Sequence, residues 1–326
     1  MRKYLLPETG KFYKANLHCH STVSDGKLTP EEIKKLYMSM GYSIVAYTDH
    51  SLLEDHQDLT DEKFLALNGY EDAIVRDGDA MGVDIGEKND YYHRKTFHCN
   101  FIALEPDNLE RVPYSREKVY SAEFVSELFL KGRERGFFGT YNHPTWSGEN
   151  YEQYMNYHNM HAMEIANYIS QTDGYEDYNP RVYADMLRGG ERIYCIGADD
   201  NHNHKGTDPI EGDSGGAWTM IKADSLDYRT ITKALLDGNF YASQGPEIHE
   251  MYIEDDTLFV TTSDAASISF AFEDRRCHIE RAKKGETVNH ASVKLDPIYG
   301  YVRVTVTDHN GNHANSNAYF LDEILK

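Results

Sequence analysis

Apolar positions along the first two-thirds of the chain recur with two periods, one helical and one extended. Ile33, Leu36, Tyr37 and Met40 fall three and four residues apart and form one apolar stripe of a helix. Thr29 is placed to cap that helix, Pro30 suits its first turn, Glu32 completes a capping box, and Gly41 stops it. Residues 43–48 follow as a β-branched and aromatic run. A second stripe, Phe124, Val125, Leu128 and Phe129, lies between Ser121 and Gly136 and leads into a strand over 137–141. Residues 161–166 and 192–196 predict further strands, and 225–238 a last helix. Repeated strand–helix units imply a parallel sheet. Near Ser243 the texture changes to alternation rich in Thr, Val, Ile and aromatics, over 258–262, 267–272 and 301–307. Turn signals fall at 254–256 and at Asn310-Gly311. The expected organisation is a barrel-like α/β unit over 1–245 and a small antiparallel β-sandwich over 246–326.

Polar residues at successive strand ends change this picture from fold to chemistry. His18 and His20 lie one residue apart at the end of a β-like run, so both project to one face and can chelate one ion. Cys19, between them, faces the other way. Asp25 follows shortly, and Asp49-His50 ends the second run. Asn142-His143-Pro144 and Asp199-Asp200-Asn201-His202 end later ones. Side chains gathered at strand C-termini are the mark of a barrel's active-site face.

Composition narrows the partners. The 326 residues carry a formal charge of −21, which disfavours duplex nucleic acid but admits a small anionic substrate where cations cluster locally. No apolar run approaches the ~20 residues of a membrane span. The first residues turn polar too soon for a signal peptide. Four cysteines (Cys19, Cys99, Cys195, Cys277) are widely spaced and read as reduced thiols, so the expected location is cytoplasmic. The histidines of the C-terminal part (His278, His290, His309, His313) read as surface residues. The segment 212–216, Gly-Asp-Ser-Gly-Gly, resembles the nucleophile motif of trypsin-like proteases, but no companion motif accompanies it. It reads instead as a flexible loop near the barrel mouth.

The order of motifs resembles one family. His18 to Gly26, then 28–32 (Leu-Thr-Pro-Glu-Glu), then Tyr47-Thr48-Asp49-His50, and later Asn142-His143-Pro144 and Asp200-Asn201-His202, are similar to the motifs of PHP (polymerase and histidinol phosphatase) metal-dependent phosphoesterases. The likeness spans about residues 12–245. It implies a distorted (β/α)7 TIM-like barrel with two or three divalent ions, Zn, Mn or Fe(II), at its strand ends. By that resemblance His18, His20, Glu71 and Asp200 hold one ion. Glu71 bridges to a second, completed by His98 and His143, and Asp25, His50 and His202 hold a third. The activity implied is hydrolysis of a small phosphate mono- or diester by a metal-bound hydroxide. Three candidates could protonate the leaving group: His202, His56 or a bound water. Asp199 is expected to orient a ligand histidine or a water, and Asp49 to do likewise or to cap a turn. Arg94 and Lys95 either grip a substrate phosphate or form a solvated loop cluster. Two other readings use the same motifs: a metal-dependent amide or carbamate hydrolase, and a non-catalytic module.

Overall fold

The computed structural model describes residues 2–75, 95–114, 118–208 and 211–325. The chain begins with β1 (Lys3–Tyr4) and β2 (Lys11–Asn16), then α1 (Pro30–Ser39). The capping box forms as the sequence predicts: Thr29 Oγ1 accepts from the Glu32 amide at 3.3 Å, and Glu32 Oε2 accepts from the Thr29 amide at 2.9 Å. Gly41, at φ +81°, turns the chain where an L side chain would be strained. Next come β3 (Ile44–Tyr47), β4 (Leu65–Val75), β5 (Thr96–Ala103), α2 (Ala122–Glu134) and β6 (Phe137–Tyr141). Then follow α3 (Tyr151–Tyr154), β7 (Ala162–Asn167), α4 (Tyr168–Thr172), α5 (Pro180–Arg188) and β8 (Tyr194–Ala198). The strands β9 (Trp218–Ala223) and β10 (Phe240–Ser243) flank α6 (Tyr228–Leu236).

These strands share one large mixed sheet, in the order β10-β9-β2-β3-β4-β5-β6-β7-β8. Pairing is parallel for β2–β3, β3–β4, β6–β7 and β7–β8. It is antiparallel for β9–β2, β4–β5 and β5–β6, so the expected uniformly parallel series is interrupted at β5 and β9. The strip curls until β8 lies against β9. Thr219 Oγ1 donates to Gly197 O at 2.9 Å and accepts from the Gly197 amide at 3.3 Å. A Cβ on Gly197 would stand 2.8 Å from Trp218 O, so only glycine permits that approach.

The rest of the chain is β11 (Ile248–Glu254), β12 (Thr257–Ala265), β13 (Ser267–Phe272), β14 (Cys277–Arg281), β15 (Val288–Lys294), β16 (Tyr301–Thr307), β17 (His313–Ser316), β18 (Tyr319–Phe320) and α7 (Leu321–Ile324). The β11–β12 hairpin turns through Asp255 and Asp256, both at positive φ, the conformation that suits a two-residue hairpin turn. One antiparallel sheet is β1-β11-β12-β15, and β14-β13-β16-β17 forms another row. Alternate residues of the two rows, including Met251, Leu258, Val260, Phe270, Val304 and Val306, bury together as a second core. That row continues through β17–β10 into the large sheet, so residues on both sides of 245/246 share a ladder. The first strand likewise belongs to the C-terminal sheet.

Cys19, Cys99 and Cys195 are buried and free, and Cys277 is exposed and free. His278, His290 and His309 are exposed, but His313 is half-buried, its ring stacked on Tyr178 at 4.5 Å. Among the described residues no helix is long and apolar enough to cross a membrane.

Candidate metal centre

Residues beyond the ends of β2, β3, β6 and β8 meet Glu71 within β4 and His98 within β5 around one cavity of about 520 Å³. Beyond β2 the chain stays extended, so His18 and His20 share a face and their Nε2 atoms stand 3.1 Å apart. Cys19 points to the opposite side, into the core with Ile33 and Tyr37. His50 follows β3 and bridges Glu71 of β4, while His98 lies on β5. His143 and Asp200, just beyond β6 and β8, both take positive φ. Such backbone is costly for non-glycine residues and marks positions held by their surroundings.

Four overlapping sets bring ligand atoms within 4.8 Å of one another: His20, Asp25, His50 and His202; His18, His143 and Asp200; His18, His20 and Glu71; Glu71, His98 and His143. Glu71 is the hub. Its Oε1 lies 2.9 Å from His98 Nδ1, 3.3 Å from His143 Nε2 and 3.4 Å from His18 Nε2. Its Oε2 lies 2.8 Å from His50 Nδ1 and 3.5 Å from His20 Nε2. Burial alone would raise the Glu71 carboxyl, but the imidazoles of His98, His18 and His50 hold it well below the usual range. Burial and the facing His202 push His20 down to about 4. Among the ligand sets, two buried atoms make no hydrogen bond: His20 Nδ1 and Asp200 Oδ1. The Asp200 oxygen nevertheless stands 3.0 and 3.1 Å from the Nε2 atoms of His18 and His20. Unpartnered buried donors and acceptors are costly unless something else satisfies them. Imidazole and carboxylate without thiolate is a donor set suited to borderline and hard divalent ions.

All nine expected ligands therefore converge: His18, His20, Asp25, His50, Glu71, His98, His143, Asp200 and His202. Asp72, adjacent to Glu71, points the other way, bonded to Tyr114 and to Lys118 Nζ (2.7 Å). Three other expectations are corrected. His56 does not reach the cavity: it packs on Tyr47 at 4.5 Å, with its amide bonded to Asn68, because the chain after His50 turns away beneath β4. Asp199 orients no ligand histidine. It faces away from Asp200 and accepts from the amides of Gly215, Gly216 and Ala217 (2.7–2.9 Å) and from the Tyr37 hydroxyl. Lys95 lies outside the cavity, its ammonium bonded to Gln153 at 3.1 Å. Arg94 falls outside the described residues.

The segment 212–216 is an anchored support. Besides holding Asp199, it uses Asp213 to accept the amides of His202 (2.9 Å) and Asn203 (2.8 Å). Asp49 caps the turn that carries Asp25, accepting from the amides and hydroxyls of Ser21 and Ser24 at 2.7–2.9 Å.

Sequence reasoning missed Glu164. This fully buried carboxylate of β7 lies 2.7 Å from His18 Nδ1 and accepts the His143 amide and Asn167 Nδ2, each at 2.9 Å. It favours the proton on His18 Nδ1 and so turns the Nε2 lone pair toward the other ligands. A lone carboxylate within the apolar run Ala162-Met163-Glu164-Ile165-Ala166 was the available signal. Asn142 and Asn167 belong to the same shell, donating to Glu71 (3.0 Å) and Asp200 (3.1 Å). Glu164→Gln is expected to weaken metal binding by ~10–100-fold with little change in secondary structure. Competition with a chromophoric chelator measures this directly, and wild-type affinity would remove Glu164 from the site.

These strands and side chains gather imidazoles and carboxylates that could hold metal ions. No family model and no curated protein matches the chain. Among solved structures, it is similar to a two-domain protein containing a predicted PHP-like metal-dependent phosphoesterase from Bacteroides vulgatus. The TM-score is 0.47 at 19% identity, covering 98% of this chain and 97% of that one. It is also similar to an amidohydrolase from Chromobacterium violaceum, with TM-score 0.39 at 14% identity, covering 58% of this chain and 87% of the other. At these TM-scores neither likeness bears on the chemistry of the site.

Proposed function

We propose that the protein hydrolyses a small phosphate mono- or diester at a centre of two or three divalent ions. One observation carries the reading: four overlapping sets of imidazoles and carboxylates, three of them wholly buried, gather their ligand atoms beside a single cavity. His18, His20, Glu71 and Asp200 would hold one ion, Glu71, His98 and His143 a second, and Asp25, His50 and His202 a third. The curled strip β2–β8 would be a distorted (β/α)7 barrel that delivers these residues to one rim. Divalent ions there supply Lewis acidity toward a phosphoryl oxygen and a water acidic enough to attack near neutral pH.

The chain's own residues do the positioning. Glu164, Asn142 and Asn167 fix the ligand orientations, and Asp213 and Asp49 fix the loops that bear His202 and Asp25. His202 Nδ1 lies 2.9 Å from Asp200 O, which keeps a proton on that nitrogen and would leave Nε2, 3.5 Å from Asp25, to face an ion. Only three carboxylates, Asp25, Glu71 and Asp200, belong to the ligand sets. Three divalent ions would exceed them in charge, leaving a positive locus in an acidic chain. That locus favours a phosphate dianion over a neutral amide.

The test is an assay of protein reconstituted with Zn, Mn or Fe(II) against p-nitrophenyl phosphate, bis(p-nitrophenyl) phosphate and p-nitroacetanilide. Metal-dependent release from an ester is expected. Release from the anilide alone would replace this reading with amide hydrolysis, and release from none would support a non-catalytic module.

A further inference from the structure

Half of the residues lining the cavity belong to the ligand sets, and the remainder offers few hydrogen-bond donors. Among the described lining residues none is a lysine or an arginine. Ser51 and His204 are exposed, and the Asp173 carboxylate takes Lys205 Nζ at 2.7 Å. Ser170 differs from these. It lines the same cavity at only 2% exposure, and its hydroxyl makes no hydrogen bond among the described residues. A buried hydroxyl without a partner is destabilising, so such groups occur where water or a ligand completes them.

The backbone around that hydroxyl is fixed. Ser170 lies in α4, just after β7, and its amide donates to Asn167 Oδ1 at 3.1 Å. Asn167 Nδ2 in turn donates to Glu164 at 2.9 Å and to Asp200 at 3.1 Å. One asparagine thus ties Ser170 to a carboxylate of the ligand sets and to the carboxylate behind His18. On either side, the Ile169 amide donates to Asp199 O at 2.9 Å, and Gln171 Nε2 donates to Asp177 O at 3.1 Å. A donor carried on such a backbone loses little further freedom when ligand arrives.

Resting on the phosphate-ester reading above, we infer that Ser170 is a substrate-binding residue whose hydroxyl donates to a nonbridging phosphoryl oxygen. A phosphate monoester presents three nonbridging oxygens, all strong acceptors, and those turned away from the ligand residues need donors from the rest of the lining. A buried hydroxyl one asparagine away from Asp200, with no competing partner among the described residues, meets that need. The same hydroxyl is idle in the free protein, so it serves binding at the expense of stability.

Ser170→Ala separates this role from a structural one. The bond to Asn167 uses the Ser170 amide, which alanine keeps, and the deleted hydroxyl bonds nothing among the described residues. The variant is therefore expected to hold the wild-type metal content by elemental analysis and to melt no lower than wild type. In calorimetric titration of the metal-loaded proteins with inorganic phosphate, it should bind ~10-fold more weakly, the effect of losing one hydrogen bond to a charged group. Wild-type phosphate affinity in Ser170→Ala overturns the inference and leaves the ester reading standing. So does a loss of affinity that comes with a lower melting temperature or with less metal. If the metal-loaded wild type binds no phosphate, both fall together.

Discussion

Replacing Glu71 with glutamine is expected to cost metal and turnover together. The carboxylate contacts five imidazoles, three through Oε1 and two through Oε2, and takes part in two of the ligand sets. Glutamine keeps the shape but offers one oxygen and turns an N–H₂ toward nitrogens that need an acceptor or an ion. Loss of one ion removes several kcal/mol of charge stabilisation. A loss of ~4 kcal/mol corresponds to ~10³-fold in kcat/KM. Elemental analysis should show the metal content falling in the same variant. Asp72→Asn, on the opposite face, serves as the neighbouring control. A Glu71→Gln protein with wild-type metal and rate would refute the site as drawn.

Metal removal is expected to reverse how stability responds to pH. Burial lowers His143, but hydrogen bonding to Glu71 and the charge of Asp200 outweigh it and raise the group to about 9. Burial likewise opposes His202, which Asp25 and Asp200 bring to about 9. In the metal-free protein these protons take the place of cations. A histidine raised above its ordinary value of ~6.5 contributes stability that is fully present below that pH. The contribution is lost as pH climbs toward 9. Metal-free protein should therefore weaken between about pH 6.5 and 9. Ions must displace the same protons, so apparent metal affinity should rise across that window, up to ~10-fold per pH unit for each proton released. At a thousandfold excess over Kd the ion adds ~4 kcal/mol, on the order of 5–10 °C in Tm for a chain of this size. Calorimetric scans with chelator and with metal at pH 6, 7.5 and 9 measure both trends. A metal-induced shift that is absent, or larger at pH 6 than at pH 9, contradicts the displacement.

Part of the ligand set was legible in the sequence because His18, His20, His50, His143 and Asp200 close periodic runs. Glu71 and His98, inside β4 and β5, came only from the resemblance. Two histidines one residue apart must share a strand face, and Asp49-His50 closes an apolar stretch. Helix starts were legible for a similar reason, since Thr29 and Ser121 are side-chain caps whose bonds involve near neighbours. What stayed hidden depends on direction or distance. Asp199 and Asp200 are adjacent carboxylates, and only the positive φ at Asp200 shows that one faces the cavity and the other a glycine loop. His56 is close to His50 in sequence, yet the turn between them sends it behind Tyr47. Glu164 acts through histidines 146 and 21 residues away in sequence, so no local period could assign its role. The antiparallel β4–β5 pairing also carried no signal, because β5 is buried throughout and β4 over its first eight residues, so neither alternates there.

Lys3 pairs with Ile253 and Tyr4 with Tyr252, so β1 meets its partner across most of the polypeptide. A ribosome adding ~5–20 residues per second makes β11 roughly 12–50 s after β1. Until then β1 has no ladder to join, since β11 is the strand it pairs with. Vectorial synthesis thus makes the fastening of β1 wait for a partner built about 250 residues later.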